Sequence, residues 1–172
     1  MDYMFELVKI LLPAAIVFLT AYYLVKNFLE HESRKRVVDL KLANQTIITP
    51  IRLQAYERVI LFLERINPNS MVMRMTKVGT AANFQGELLK TIRSEFEHNL
   101  SQQIYMSNKS WEILVRSKEE TIKLVNVAAT RVAPDASAME LAQAVIGVSS
   151  QLSELPTKSA IDFIKKEIGK EF

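Results

Sequence analysis

Hydrophobic positions along the chain change rhythm once. From Ile10 to Val25 runs ILLPAAIVFLTAYYLV, sixteen residues without a charge, and the apolar stretch reaches nineteen when Leu7 and Val8 are counted, with Lys9 near its outer edge. As a helix, nineteen residues cover roughly 28 Å, close to the roughly 30 Å of a bilayer's hydrocarbon layer, and Lys9 can snorkel to the headgroups. The nine Leu, Ile, Val and Phe between Ile10 and Val25 favour insertion by roughly 3 to 5 kcal/mol, which outweighs a peripheral Pro13. Tyr22 and Tyr23 stand where an interfacial aromatic belt belongs. Further along, apolar residues recur every three or four positions among charged ones, the rhythm of amphipathic helices.

A cleaved signal peptide is the main competing reading of the first segment. It needs a basic leader and small residues at the cleavage point, whereas this chain offers Asp2 and Glu6 and, at Leu19-Thr20-Ala21, a Leu inside the apolar run. A buried core helix is the other alternative. The expectation is an uncleaved transmembrane anchor over residues 1–29. Only Lys9 precedes the span, while Lys26, Arg34, Lys35, Arg36 and Lys41 follow it. That asymmetry predicts an N-terminus outside and everything from about residue 26 on the cytosolic side.

The anchor helix is expected to continue as a juxtamembrane stalk over residues 30–48, with Phe28, Val37 or Val38, Leu40 and Leu42 set among charges. The polar and β-branched run Asn44–Thr49 predicts a break, with Thr49 as N-cap and Pro50 at the first position of a new helix that Asn67-Pro68 stops. In that helix Tyr56, Val59, Ile60, Leu63 and Ile66 share one face. The connector Asn69–Gly79 alternates Met71, Met73 and Met75 with Val72, Arg74 and Thr76, which predicts a short extended segment.

Thr80 is a candidate cap for a helix carrying Phe84, Leu88, Ile92, Phe96, Leu100 and Ile104 at intervals of four. Ser107 caps the next, whose apolar face is Trp111, Leu114, Ile122, Val125, Ala129 and Val132, with Glu112, Arg116 and Glu120 linked at i, i+4 and Glu119 paired likewise with Lys123. These two helices predict a long antiparallel hairpin. Ala133-Pro134-Asp135 ends it. Ser137 and Glu140 form a capping box for a small-residue helix through Leu141, Val145, Val148 and Leu152, and a last helix after Pro156 sets Ile161, Ile164 and Ile168 on one side. The fold class read from the pattern is all-α: a transmembrane helix running into a stalk, then a cytosolic helical bundle over residues 49–172.

The runs IRLQAYERVILFLERINP, IRSEFEHNLSQQIY and KEETIKLVN resemble an uncharacterised family of short single-pass inner-membrane proteins from Bacteroidetes-type bacteria. The resemblance spans almost the whole chain. It implies an inner-membrane location and carries over no catalytic residue.

Composition narrows the chemistry. With 172 residues, 49% hydrophobic and 24% charged, the chain is suited to one ordinary folded domain, and 4 Gly and 5 Pro are few for the turns of an all-β fold. Zero Cys excludes disulfides, thiolate nucleophiles and Cys-ligated metals within the chain. The two His, His31 and His98, are 67 residues apart. Glu95 and His98 form a Glu-x-x-His pair at the i, i+3 spacing used in helical di-iron sites, but such a site needs a second pair. In Phe28-Leu29-Glu30-His31, Phe28 stands where that second Glu belongs. Only a symmetric dimer could complete the set, and the plainer reading is a boundary histidine hydrogen-bonded to a neighbour.

Charge is also uneven. Arg34, Lys35, Arg36, Lys41, Arg52, Arg58, Arg65, Arg74 and Lys77 stand against only Asp39, Glu57 and Glu64, a net of +6, while residues 78–172 carry eleven basic against twelve acidic groups. An excess of this kind next to a span suits an anionic leaflet or a protein partner, and nucleic acid less well, since no RNA-recognition motif or interleaved aromatics accompany it. Met71, Met73 and Met75 suit core filling better than an adaptable groove, and Trp111 suits packing better than a partner hot spot. The expectation is therefore a non-enzymatic, membrane-anchored scaffold or adaptor, with the lipid bilayer and a protein partner or second copy as its contacts and no cofactor. The alternatives are a metal-dependent enzyme assembled across a dimer around Glu95 and His98, and a lipid-surface or ribosome tether using residues 34–77.

Overall fold

The computed structural model describes residues 2–171; within that range the side chains of residues 2, 4–8, 10, 14, 37, 38, 44 and 171 lie outside the description. The expectations placed on Leu7, Val8, Ile10, Val37 and Val38 therefore concern side chains that are not described. The protein is all-α. Its elements are α1 (Asp2–Arg65), α2 (Pro68–Arg74), α3 (Ala81–Asn99), a 3₁₀ turn (Leu100–Ile104), α4 (Asn108–Ala129), α5 (Ala138–Ser150) and α6 (Pro156–Glu171). By its internal contacts the chain divides into two units, Met1–Thr49 and Pro50–Phe172.

From Asp2 on, the first unit is helical, and its described apolar side chains are bare: Phe18, Leu24 and Phe28 are 69%, 71% and 66% exposed. Arg36 reaches back one turn to Glu32 at 3.2 Å, an exposed pair of the kind worth a few tenths of a kcal/mol. The expected break over Asn44–Thr49 does not occur, and Thr49 and Pro50 are neither N-cap nor first turn: α1 is one helix from Asp2 to Arg65. Proline's φ near −65° fits a helix, and the hydrogen bond it removes is the one to the Thr46 carbonyl. Pro50 is exposed, so water can satisfy that carbonyl, and the helix continues through it.

The second unit is built around one hydrophobic core. Tyr56, Val59, Phe62, Leu63 and Ile66 of α1 are buried in it with Phe84, Leu88 and Ile92 of α3, Leu114, Leu124 and Val125 of α4, Leu141 and Val145 of α5, and Ile161 and Ile164 of α6. Helix α4 lies against α3, α5 and α6. Its pairing with α3 is antiparallel: the Phe96 and Trp111 rings meet at 5.7 Å beside the turn, and Gln85 Nε2 donates to Asn126 Oδ1 at 2.9 Å near the other end.

Sequence rhythm fails in three places here. Residues 68–74 are a helix, not an extended connector, because Asn67 accepts from the Asn69 and Ser70 backbone N–H groups and Pro68 takes the first position. The motif that stops α1 thus starts α2. Met71 and Val72 are fully buried while Met73 is 70% exposed, which is helical spacing rather than alternation. The four-residue stripe of α3 also ends early. After Asn99 the chain tightens to 3₁₀ geometry, so Leu100 and Ile104 leave the inner face and are 45% and 74% exposed. In α4 the buried stripe runs through Ser110, Ser117, Leu124 and Ala128, with Ile122 and Ala129 only partly covered at its flank. Glu119 pairs with Lys118 at 2.8 Å, and among the described residues no ion pair joins it to Lys123 or links Glu112, Arg116 and Glu120. Lys118 lies 4.2 Å above the Phe96 ring, which holds its ammonium beside Glu119, whereas exposed i, i+4 pairs gain only about 0.3 to 0.5 kcal/mol.

The starts of α3 and α5 are tied together. Their N-caps, Thr80 and Ser137, form an antiparallel β-bridge, with Ala81 N–H donating to Ala136 O at 2.7 Å and Ala138 N–H to Gly79 O at 3.1 Å. Each cap also serves its own helix: Thr80 accepts from Asn83 N–H, and Ser137 and Glu140 close a capping box. Gly79, at φ +87°, makes the turn into this bridge, a conformation that favours glycine.

Candidate functional site

An open cleft of about 350 Å³ lies between the last turns of α1 and the C-terminal half of α3. It gathers four residues singled out from the sequence: Arg58 and Arg65 from α1, Glu95 and His98 from α3. The spacing explains this. Arg58 and Arg65 are seven apart, hence on one face of α1, and Ser94 with His98 and Glu95 with Asn99 are each four apart on α3. Phe62 is buried in the wall, and its ring packs against Phe96 at 6.0 Å.

The Glu-x-x-His pair does not act as a unit. Glu95 is turned to Arg65, whose Nη1 donates to both carboxylate oxygens at 3.2 and 3.1 Å. His98 Nδ1 lies 2.8 Å from the Ser94 carbonyl oxygen, which can only accept, so Nδ1 carries a proton. Asn99 donates its amide to the Glu95 carbonyl at 2.8 Å. Arg58 has no acid at helical spacing, its neighbours there being Gln54, Ala55, Leu61 and Phe62. Among those residues no group of three or more His, Cys, Asp or Glu could hold a metal ion.

The rest of the basic segment is dispersed. Arg34, Lys35, Arg36 and Lys41 are exposed along α1 in the first unit. In the second, Arg52 Nε donates to the Tyr105 carbonyl, Arg74 Nη2 to the Arg65 carbonyl at 2.9 Å, and Lys77 Nζ to the Met75 carbonyl. Arg74 thereby serves one of the unpaired carbonyls ending α1. Trp111 is half-buried against Phe96 and the core.

A second polar cluster escaped the sequence reading. Glu167 of α6 accepts from Tyr56 Oη at 2.7 Å, from Ser107 Oγ at 2.8 Å and from Ser110 Oγ at 2.9 Å. Tyr56 and Ser110 are fully buried. Burial by itself would raise the Glu167 pKa, but the hydrogen bonds from Tyr56, Ser107 and Ser110, with the nearby Arg52 charge, outweigh it and hold the carboxyl below its ordinary value. Ser107 also accepts from Ser110 N–H, so one hydroxyl caps α4 and joins α4 to α6. Two signals were present in the sequence. Tyr56 on an apolar face needs a partner for its hydroxyl, and Glu167 directly precedes Ile168 on the inward side of α6.

Six helices, with no metal-ligand cluster among the described residues, make up an all-α protein. The chain belongs to the family of unknown function DUF7935, whose sequence model matches residues 2–171. No curated protein and no solved structure matches it.

Proposed function

We propose that the chain is a membrane-anchored helical adaptor. Residues 1–29 hold it in a bilayer with the N-terminus outside, and the helical unit after Thr49 presents a protein-interaction surface on the cytosolic side to a partner or a second copy. One observation carries the reading. The apolar part of α1 contains an 18-residue window of mean hydropathy 1.5, none of it buried against protein. A buried core helix would be covered, and large contiguous apolar surface left in water is unfavourable by about 25 cal/mol per Å². Lipid removes that penalty, and the basic residues that follow the span favour their retention on the cytosolic side. The preference for binding over catalysis rests on the composition, which lacks Cys and carries His only at two distant positions.

The test is carbonate extraction of membranes, a reporter fused after Phe172, and crosslinking in intact cells followed by mild purification. The expected outcome is a chain retained in the membrane, a cytosolic reporter and one reproducible co-purifying chain or a self-crosslinked dimer. Release by carbonate or a periplasmic reporter would refute the topology, and a monomer with no crosslinked product would refute the adaptor role.

A further inference from the structure

We infer that α1 pairs with α1 of a second copy of this chain, parallel and in register, along a seam through Leu40, Ile47 and Ile51. The inference rests on the membrane-anchor reading and names the partner that reading leaves open. It starts from spacing. Leu40 and Ile47 are seven residues apart and 65% and 64% exposed, and Ile51, four further on, is 40% exposed. The sequence sets Val37 and Asn44 at the positions that complete the series Val37-Leu40-Asn44-Ile47-Ile51, whose steps of three and four make the heptad repeat of a coiled coil. Val37 and Ile51 at the first position of the repeat, with Leu40 at the second, favour two strands. A lone Asn at the first position fixes the register, because its amide is best met by the same Asn on an identical helix. A second copy supplies that partner at the right height, and an unrelated helix would do so only by coincidence.

The stalk also gains from a partner. Among the described residues between the span and the core, α1 has one ion pair, Arg36 with Glu32, and then the β-branched run Thr46-Ile47-Ile48-Thr49 ahead of Pro50, residues that favour a lone helix weakly. Two heptads span about 21 Å, fewer than the three or four that mark a free coiled coil. Anchoring in one bilayer supplies the rest, since both copies are held in the same orientation and at high effective concentration. Charge limits the pairing. In a parallel pair Arg36 stands beside Lys41 of the second copy, two like charges at the edge of the seam, and Glu32 at 3.2 Å offsets part of the Arg36 charge. That flank gives the test a sign, because Lys41→Glu turns both such contacts from repulsive to attractive.

The experiment uses the full chain in isolated membranes. With no Cys in the sequence, Leu40→Cys, Ile47→Cys, Leu42→Cys and Gln45→Cys each carry a single thiol, and all four positions are exposed. A disulfide forms only where two Cα atoms come within about 7 Å. Helices packed about 8 to 10 Å apart meet that condition along the seam, whereas residues 42 and 45, on the far side of each helix, would lie about 12 Å or more from their counterparts. Under mild oxidation the two seam variants should give disulfide-linked dimer at least about tenfold faster than the two others. Adding Lys41→Glu to Ile47→Cys should speed dimer formation about twofold or more. Carbonate extraction scores the anchor separately. A chain that stays in the membrane but crosslinks equally at all four positions, fails to crosslink, or is unmoved by Lys41→Glu overturns the pairing and leaves the anchor standing. Release by carbonate overturns both, because two heptads are too short to hold together in free solution.

Discussion

Replacing Glu167 by Gln tests the polar cluster that joins three helices. The wild-type carboxylate receives hydroxyl donors from Tyr56, Ser107 and Ser110, two of them on fully buried residues. Gln offers one acceptor oxygen without charge and brings an NH₂ group that faces the same donors. Hydrogen bonds to charged groups contribute about 1.5 to 3 kcal/mol each, but hydroxyls can rotate toward other acceptors, so the net loss should be about 2 to 3 kcal/mol. For a unit of this size that lowers the Tm by roughly 5 to 10 °C. The assay is thermal and urea unfolding of the chain lacking residues 1–29, followed by far-UV circular dichroism, with Tyr56→Phe completing a double-mutant cycle. The coupling between Tyr56 and Glu167 should be about 1 kcal/mol or more. The pH dependence has a fixed sign. Because the folded pKa lies below its ordinary value of 4.5, the carboxylate's contribution is complete above that value and is lost as pH falls through the folded pKa. The gap between wild type and Glu167→Gln should therefore narrow on acidification below about pH 4.5. A loss under 0.5 kcal/mol, or a gap that widens in acid, would show that the cluster does not hold α1, α4 and α6 together.

Gly79→Ala should cost about 1 to 2 kcal/mol in urea unfolding, because the residue sits at φ +87° and no side-chain atom approaches a new Cβ closer than 3.8 Å, leaving backbone conformation as the only penalty. Pro50→Ala should raise thermal stability, by up to about 3 kcal/mol, because proline lies inside α1; no gain would point to a chain that breaks there. His98→Gln should cost on the order of 1 kcal/mol or less, since it removes one bond to the Ser94 carbonyl at the surface, and a chelator should leave the melting of the wild type unchanged. Deleting residues 1–29 should give a soluble helical protein, checked by sedimentation and circular dichroism; an insoluble product would mean that the core after Pro50 does not fold unaided.

Helix starts were legible because caps are local. Thr80, Ser107 and the Ser137–Glu140 box each satisfy N–H groups within three residues of themselves, so the sequence window contains both partners. The inner faces of α3 through Ile92 and of α6 at Ile161 and Ile164 were legible for a related reason, since one period governs a whole element. The candidate cleft was half legible. Glu95 and His98 stood out by spacing and Arg58 and Arg65 by charge, yet no local signal brings residues seven apart on one helix to face a pair some 30 positions later.

By itself, then, the sequence determined the all-α class, the uncovered apolar segment, the basic excess that follows it and most helix starts. Each depends on composition or on interactions a few residues long. Tertiary structure decided what depends on neighbours remote in the chain. It determined that Glu95 meets Arg65, that Met71 and Met73 part company across a helix, and that Ser117 and Thr121 lie in the core where Ile122 was expected. It also brought Tyr56, Ser107 and Ser110 to one carboxylate, because a polar group can enter the interior only where distant segments supply its hydrogen bonds.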